Sequence, residues 1–356
     1  MNETNLYKPD ETGCLTEEGT KSYYSRIGLF CFLIGTISTL VSLLASLIVG
    51  LFFPWILNIP LAKSIFEYAI TFVAIYCLAT PVALLALSPL PTSRPIKEKM
   101  KLSHLIGALC ICFTFMQVGS SFSNIIITFI EKLAGKELIN PVEESLDSGS
   151  LILSALFVGI LFPILEEILF RRLLCHRLLP LGEKKAIIIS AAIFGFIHGN
   201  LYQFAYAFLL GLIFGYIYVK TGKLIYTIIF HCIINLWGGV FVQFILTKMP
   251  LDKLEEILNT VLENPNIVNN PDAFWELISP YALGIMLYMI YSYALMGLSL
   301  AGFIILFVLT FKRKITFEQG ILQTPKKHRF SNFFLNGGIA AAIGYIAISF
   351  LASIMM

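Results

Sequence analysis

The feature that most constrains this chain is a series of long, predominantly apolar runs, such as Ile27–Phe53 and Leu224–Leu246. About 20 such residues in helical form cross the hydrocarbon core of a bilayer. The composition agrees, because 57% of the 356 residues are hydrophobic and only 13% are charged, against about one quarter charged in soluble domains. The runs are continuous rather than short and alternating, which argues against a β-barrel. The sequence therefore predicts an all-α, polytopic bundle of transmembrane helices.

We predict about nine spans, separated by polar or proline-containing segments. Their expected ranges are 27–53, 65–87, 105–130, 151–170, 186–198, 204–219, 224–246, 281–311 and 334–356. If the N-terminus is cytoplasmic, 20 of the 25 Lys and Arg residues fall on inside segments and five on outside segments. Positively charged loops favour the cytoplasmic face, so this asymmetry predicts a cytoplasmic N-terminus.

The same pattern divides the chain into five regions. Residues 1–26 are expected to form a polar tail that is poorly ordered or lies at the surface. Residues 27–150 hold the first transmembrane helices, 151–247 a core that carries the ionisable residues, 248–280 an extracytoplasmic loop, and 281–356 the last transmembrane helices. Gly211 and Gly215, four residues apart, share one helix face and predict close packing against a neighbouring helix.

Charge and cysteine content narrow the class of function. The net charge of +3 is spread over several loops and forms no concentrated patch for nucleic acid. Most of the seven cysteines lie inside apolar runs, which favours small buried thiols over a disulfide framework. The partner expected from composition is the lipid bilayer; the oligomeric state is not indicated.

Ionisable side chains inside three apolar runs are the candidate functional residues. Glu166 and Glu167 lie near the end of one run, His198 near the end of the next, and His231 in a later one, with Asn235 four residues beyond it. A charge in hydrocarbon costs several kcal/mol, so a chain retains such groups only where a neighbour or a function compensates. Taken singly, each has an ordinary structural explanation; two carboxylates, two imidazoles and an amide together favour a shared site.

This set permits the hydrolysis of an amide bond. A carboxylate beside a histidine can deprotonate a water molecule, and a His with an Asn on one helix face can donate hydrogen bonds to a developing oxyanion. A carboxylate with two histidines is also the ligand set of many catalytic zinc sites. A metal-free site and a Zn²⁺ site with Glu166, His198 and His231 as ligands are therefore both compatible with these residues.

Three motifs then carry a resemblance: Glu-Glu-x-x-x-Arg at 166–171, Phe-x-x-x-His at 194–198 and His-x-x-x-Asn at 231–235. Their order and spacing resemble the CPBP family, the CAAX proteases and bacteriocin-processing enzymes that are also called Abi. The resemblance covers about residues 151–240 and implies a helical catalytic core with endopeptidase activity and a glutamate-activated water.

On this basis the leading hypothesis is an intramembrane endopeptidase, and the partner that it implies is a peptide or membrane-protein substrate. Glu166 is expected to be the general base, assisted by Glu167 and His198; His231 and Asn235 are expected to stabilise the oxyanion. Arg171, four residues from Glu167, is expected to orient the carboxylates, and Phe194 to support the site from the helix face that it shares with His198. Helix rise places the three ionisable positions in the inner half of the membrane, which predicts a cavity that opens toward the cytoplasm.

Two other functions fit parts of the same pattern. A catalytically silent membrane regulator or immunity protein would use the motif residues structurally, although the complete set of Glu, His and Asn weighs against this reading. A proton-coupled transporter would relay protons through Glu and His, but the residues cluster in one part of the chain and no inverted repeat is evident. We expect a multi-pass protein of the cell membrane.

Overall fold

The structure, a computed structural model, describes residues 6–11, 13–140, 150–325 and 329–355. Nine principal helices form its frame within these ranges: α1 (Glu17–Phe52), α2 (Pro60–Leu87), α3 (Leu102–Ala134), α4 (Leu151–Leu181), α5 (Glu183–Phe196), α6 (Leu201–Thr221), α7 (Leu224–Leu246), α8 (Ala282–Phe311) and α9 (Gly337–Met355). The described residues contain no β-strand. The predicted all-α polytopic bundle is confirmed.

The number of long apolar helices is close to the nine predicted spans. Eight helices within the described residues are long and apolar enough to cross a membrane, and α5 is the exception among the nine. With 14 residues, α5 is only about 21 Å long, short of the roughly 30 Å hydrocarbon core. It ends at Phe196 because the chain turns back through Gly199, whose φ of 68° suits a glycine. The predicted span 186–198 is therefore a helix of 14 residues followed by a turn.

The predicted polar tail is also more structured than expected. Helix α1 begins at Glu17, ten residues before the predicted span, with the Thr16 side chain accepting a hydrogen bond from the Gly19 amide at 3.0 Å. Leu15 and Tyr23 are buried, and the Tyr23 hydroxyl donates to the carbonyl oxygen of Arg177. The apolar residues scattered through this polar stretch thus cap one end of the bundle instead of lying at the surface.

The segments between spans add shorter helices. The predicted loop 248–280 contains Leu251–Glu263 and Pro271–Ile278, and Trp55–Asn58 and Arg329–Phe334 lie elsewhere in the chain. Leu254, Leu258 and Leu262 are exposed and four residues apart, so they share a face of the first of these helices. This pattern is typical of a helix that lies along the membrane interface. The acidic residues Glu143, Glu144 and Asp147, between α3 and α4, lie outside the described part of the chain.

Helix α6 is central to the packing around the candidate site, since it contacts α5 on one side and α3 on the other, while α8 packs on α3 and α9 packs on α1. Gly211 and Gly215 face α5. A methyl group at Gly211 would lie 2.9 Å from the Ala191 Cα, and one at Gly215 would lie 3.4 Å from the Ile187 side chain. The two glycines therefore serve the close helix approach that their spacing predicted.

The basic segments meet at one end of the bundle. The Ser93 amide donates to the His176 carbonyl at 2.8 Å, and the Glu98 amide donates to the Thr221 carbonyl at the same distance. The Leu322 amide likewise donates to the Pro180 carbonyl. At the other end, Lys136 Nζ donates to the carbonyl oxygen of Met355. The basic segments and the start of α4 therefore lie at opposite ends of the bundle. Because cytoplasmic loops carry an excess of Lys and Arg, we expect the basic end to face the cytoplasm.

The first prediction concerns this orientation. In intact cells, a membrane-impermeant maleimide is expected to label Lys132→Cys and not Lys99→Cys, because only the basic end is held inside by the positive-inside effect. Each variant is compared after permeabilisation, when both positions should react, and with the unmodified chain as the background for its native thiols. Labelling of Lys99→Cys alone in intact cells would reverse the orientation.

Candidate active site

The acidic pair lies on α4 between two π-helical stretches, Phe157–Leu161 and Ile168–Cys175. Such widened turns are concentrated at functional sites, where they redirect side chains. Successive helical residues point roughly 100° apart, and the two carboxylates accordingly take different surroundings. Glu167 turns into the protein and is fully buried, whereas the Glu166 side chain is 21% exposed and lines a cavity.

Glu167 forms a buried ion pair with Arg171. Arg171 Nε donates to Glu167 Oε2 at 3.1 Å, and both side chains are completely buried. The guanidinium also lies 5.3 Å from the centroid of the Phe194 ring, and its Nη1 is 3.5 Å from the Ser190 hydroxyl on α5. The intrahelical pair predicted from the four-residue spacing is therefore present, and it links α4 to α5.

His231 on α7 lies between the two carboxylates. Its Nε2 is 3.5 Å from Glu166 Oε2, and its Nδ1 is 3.3 Å from Glu167 Oε1. The Nδ1 and Oε1 atoms are buried and make no hydrogen bond of ordinary geometry. The imidazole is thus held in an acidic environment, with the edge that carries Nε2 directed to the carboxylate that lines the cavity.

His198 lies in the turn after α5 rather than on a helix. Its Nδ1 is 2.8 Å from the carbonyl oxygen of Phe194. A carbonyl only accepts, so Nδ1 carries the proton, and in the neutral imidazole Nε2 is then free to act as an acceptor. The Phe194 ring contacts both imidazoles edge to face, with centroid distances of 5.2 Å to His198 and 5.6 Å to His231.

Asn235 compensates for a proline in α4. Pro163 has no N–H, so the carbonyls one turn before it lose a donor within the helix. Asn235 Nδ2 donates instead to the carbonyl oxygen of Val158 at 2.9 Å. The amide group has two N–H donors, so one remains beyond this bond, and Asn235 also lines the cavity. The structure therefore assigns one donor of Asn235 to the scaffold, a role that the sequence did not indicate.

All of Glu166, His198, His231, Asn235 and Phe194 line one cavity of about 640 Å³. Its wall continues through Ser154 near the start of α4, Asn124 on α3, Asn140 and Tyr68. These residues lie toward the end of the bundle opposite the basic segments. The sequence-based expectation that the cavity opens toward the cytoplasm stays a prediction.

Several polar residues of the cavity were not identified from the sequence. Tyr68 and Ser154 hydrogen-bond each other through their hydroxyls at 3.0 Å, and Gln203 Nε2 donates to the Tyr206 hydroxyl at 3.1 Å. Tyr76 on α2 is not part of the cavity lining, but its hydroxyl interacts with Glu166. The sequence does contain one signal for the position of Gln203. Asn200 caps α6 through a 2.9 Å bond to the Gln203 amide, and Asn followed three residues later by Gln is close to a capping-box pattern.

The positions of these side chains can be compared with the Zn²⁺ site that the sequence left open, in which Glu166, His198 and His231 are the ligands. Within the described residues, no group of three or more His, Cys, Asp or Glu side chains is placed to hold a metal ion. Glu166 and His231 approach each other as a pair, and His198 contacts the ring of Phe194 and its carbonyl group instead. The three predicted ligands share a cavity, but their donor atoms do not converge as a tetrahedral site requires.

The fold and this site define a multi-pass helical membrane protein with a carboxylate and two imidazoles in an intramembrane cavity. Residues 148–237 match the family model described as Type II CAAX prenyl endopeptidase Rce1-like. The resemblance predicted from the three motifs is thus confirmed over about a quarter of the chain. Comparisons with curated proteins and with solved structures gave no match.

The second prediction concerns the buried ion pair. Arg171→Met is expected to lower the free energy of unfolding by about 3–5 kcal/mol, because it leaves Glu167 charged and buried without its cation. The double variant Glu167→Leu/Arg171→Met is expected to regain most of this loss, since an apolar pair needs no compensation. Unfolding in detergent micelles measures both.

The control for the Arg171→Met variant is Lys253→Met. It removes the exposed contact between Lys253 Nζ and Glu256 Oε2 at 2.8 Å, and exposed pairs contribute little to stability. No measurable change is expected from it. An Arg171→Met protein as stable as the parent would show that the pair does not support the fold.

Proposed function

We propose that this protein is an intramembrane endopeptidase that hydrolyses a peptide bond with a water molecule activated by Glu166. The observation that carries the proposal is the Glu166 carboxylate, which faces the cavity with His231 Nε2 at 3.5 Å. Both residues lie in the segment that matches the CAAX prenyl endopeptidase model. The match supports protease activity of this general type.

In this proposal Glu166 and His198 hold the attacking water. The neutral His198 imidazole has Nε2 available as an acceptor, because Nδ1 is bonded to the Phe194 carbonyl. Glu166 takes one proton as the water oxygen bonds to the scissile carbonyl carbon, and it later delivers that proton to the leaving nitrogen as the carbon–nitrogen bond breaks. Glu167 does not exchange protons, since it stays paired with Arg171 in the protein interior.

The oxyanion that forms on the former carbonyl oxygen needs donors nearby. His231 Nε2 is the first donor, since its 3.5 Å separation from Glu166 is longer than an ordinary hydrogen bond and leaves it able to contact a substrate oxygen. The N–H of Asn235 that is not bonded to Val158 is the second donor. Glu167 Oε1, at 3.3 Å from Nδ1, lies against the opposite edge of this imidazole.

The cavity favours a substrate segment without strong charge. Its lining in the described residues contains serine, threonine, asparagine, glutamine and tyrosine among apolar residues, but no lysine or arginine. A peptide carboxylate in the cavity would therefore face Glu166 without a compensating cation from the described lining. We propose a membrane-associated peptide, with the scissile bond in a neutral stretch; the name of the matched family adds prenylated peptides as one class to test.

The third prediction tests the base. Glu166→Gln is expected to lower peptide cleavage about 10²–10⁴-fold, because the amide cannot accept the proton. Its stability should be unchanged, since the Glu166 side chain is partly exposed and forms no buried ion pair. Comparative peptidomics of membranes that contain the parent or the variant identifies the products, and purified proteins then give the rates.

Glu137→Gln is the matched control, because it makes the same chemical change at an exposed position outside the cavity lining. It is expected to retain full activity. Asn235→Ala is expected to lose about 10²–10³-fold through the oxyanion. Normal turnover by folded Glu166→Gln protein would refute the assignment of the base.

The fourth prediction separates the metal-free mechanism from a metalloprotease. Because the described donor atoms do not converge on a metal, a strong chelator is expected to leave cleavage within about twofold of the untreated rate. A zinc site with Glu166, His198 and His231 as ligands would instead lose activity on chelation and regain it with Zn²⁺. Inductively coupled plasma mass spectrometry of the purified protein provides an independent measurement of bound metal.

A further inference from the structure

A second cavity lies at the basic end of the bundle, away from the candidate active site. It has a volume of about 660 Å³ and lies where the segment before α3, the end of α4 and the start of α7 meet. We name it the basic cleft. The cations among its lining residues are Arg94, Lys97, Arg172, Arg177 and Lys223. No Asp or Glu lines it among the described residues.

The cations of the basic cleft lack carboxylate partners in the described part of the chain. None of the ion pairs found there includes any of the five. Arg177 is the most constrained, since its Nε and Nη1 donate to the carbonyl oxygens of Leu87 and Leu173. Five like charges around one cleft lie within or near a Debye length of each other, so an anion in the cleft would relieve their repulsion.

The basic cleft is built by tertiary contacts and is not only a charged loop. Arg94 and Lys97 are on a segment tied to α4 by the bond from the Ser93 amide to the His176 carbonyl, and to α6 by the bond from the Glu98 amide to the Thr221 carbonyl. The side of the cleft is formed by His176 and Tyr218, whose Nε2 and hydroxyl oxygen are 2.6 Å apart. Separate segments are therefore held so that their cations converge.

The rim of the basic cleft is apolar. Leu173, Leu224 and Ile225 also line it, and Ile225 is 54% exposed at the start of α7. Ile229, one turn further along α7, is exposed as well, so the rim continues into the surface that a membrane helix presents to acyl chains. A cationic centre beside such a surface fits a headgroup with its chains attached better than a free ion.

We propose that the basic cleft binds the phosphate group of an anionic membrane lipid. Guanidinium groups of Arg94 and Arg172 match two phosphate oxygens in bidentate geometry, while Lys97 and Lys223 add point charges. The lipid chains lie against Ile225 and Ile229. The site is separate from peptide hydrolysis, although Arg172 and Arg177 lie on α4, which carries Glu166, and Lys223 directly precedes α7, which carries His231.

The fifth prediction tests this site with the purified full chain in detergent. Native mass spectrometry is used to titrate phosphatidylglycerol, phosphatidylcholine and inorganic pyrophosphate. The double variant Arg94→Gln/Lys97→Gln is expected to bind phosphatidylglycerol at least about tenfold more weakly, because two cations near the phosphate are lost. Both positions are exposed, so folding should be retained; Arg172→Gln, also exposed, provides a second variant.

The matched control is Lys312→Gln/Lys314→Gln, which removes the same charge from exposed positions after α8 that do not line the cleft. It is expected to weaken binding less than twofold. Phosphatidylcholine should bind more weakly than phosphatidylglycerol to the parent. Equal losses in both double variants, or no loss in either, would overturn the site. Tight binding of pyrophosphate that excludes phosphatidylglycerol would replace the lipid by a soluble phosphate compound.

Discussion

The ion pair between Glu167 and Arg171 is the interaction on which the geometry of the candidate site depends. Both groups are completely buried in a membrane helix and lie 3.1 Å apart. Burial of either charge alone would cost several kcal/mol, so the two residues stabilise each other only while α4 keeps them one turn apart. The guanidinium then lies over the Phe194 ring, and Glu167 contacts His231. The single pair thereby positions α4, α5 and α7 around one point, with Glu166 left to face the cavity.

The second constraint is the backbone of α4. Non-helical or widened backbone inside a membrane is tolerated where it is covered by protein or faces a cavity, and both π-helical stretches of α4 border the acidic pair. Pro163 adds to the irregularity by removing a donor. Asn235 satisfies the Val158 carbonyl in its place. The hydrogen bond from Asn235 to Val158 thus also aligns α7 with α4, and this alignment places His231 beside Glu166 and Glu167.

A third feature is that α4 joins two cavities of different chemistry. The cavity beside Glu166 has no lysine or arginine in its described lining, whereas the basic cleft has no carboxylate in its own. Arg172 in the cleft directly follows Arg171 of the buried pair. Adjacent residues of one helix therefore serve a buried ion pair and an exposed cationic surface, because successive side chains on a helix point in different directions.

Local features of the sequence were sufficient to predict the fold class, the buried ion pair and the family resemblance. Length and apolarity of the runs predicted a polytopic bundle, since a helix in hydrocarbon needs only about 20 apolar residues. The spacing of Glu167 and Arg171 predicted their pair, because residues four apart are neighbours on any helix. The motifs around Glu166, His198 and His231 predicted the family for the same reason, as each is a short pattern within one helix or turn.

The tertiary structure decided which of these residues face one another. It turned Glu166 to the cavity and buried Glu167, placed His198 in the turn after α5, and gave Asn235 a partner on α4. It also brought Arg94, Arg172 and Lys223 together. These relations join residues that are distant in the chain. They follow from how whole helices pack, and no local spacing specifies them.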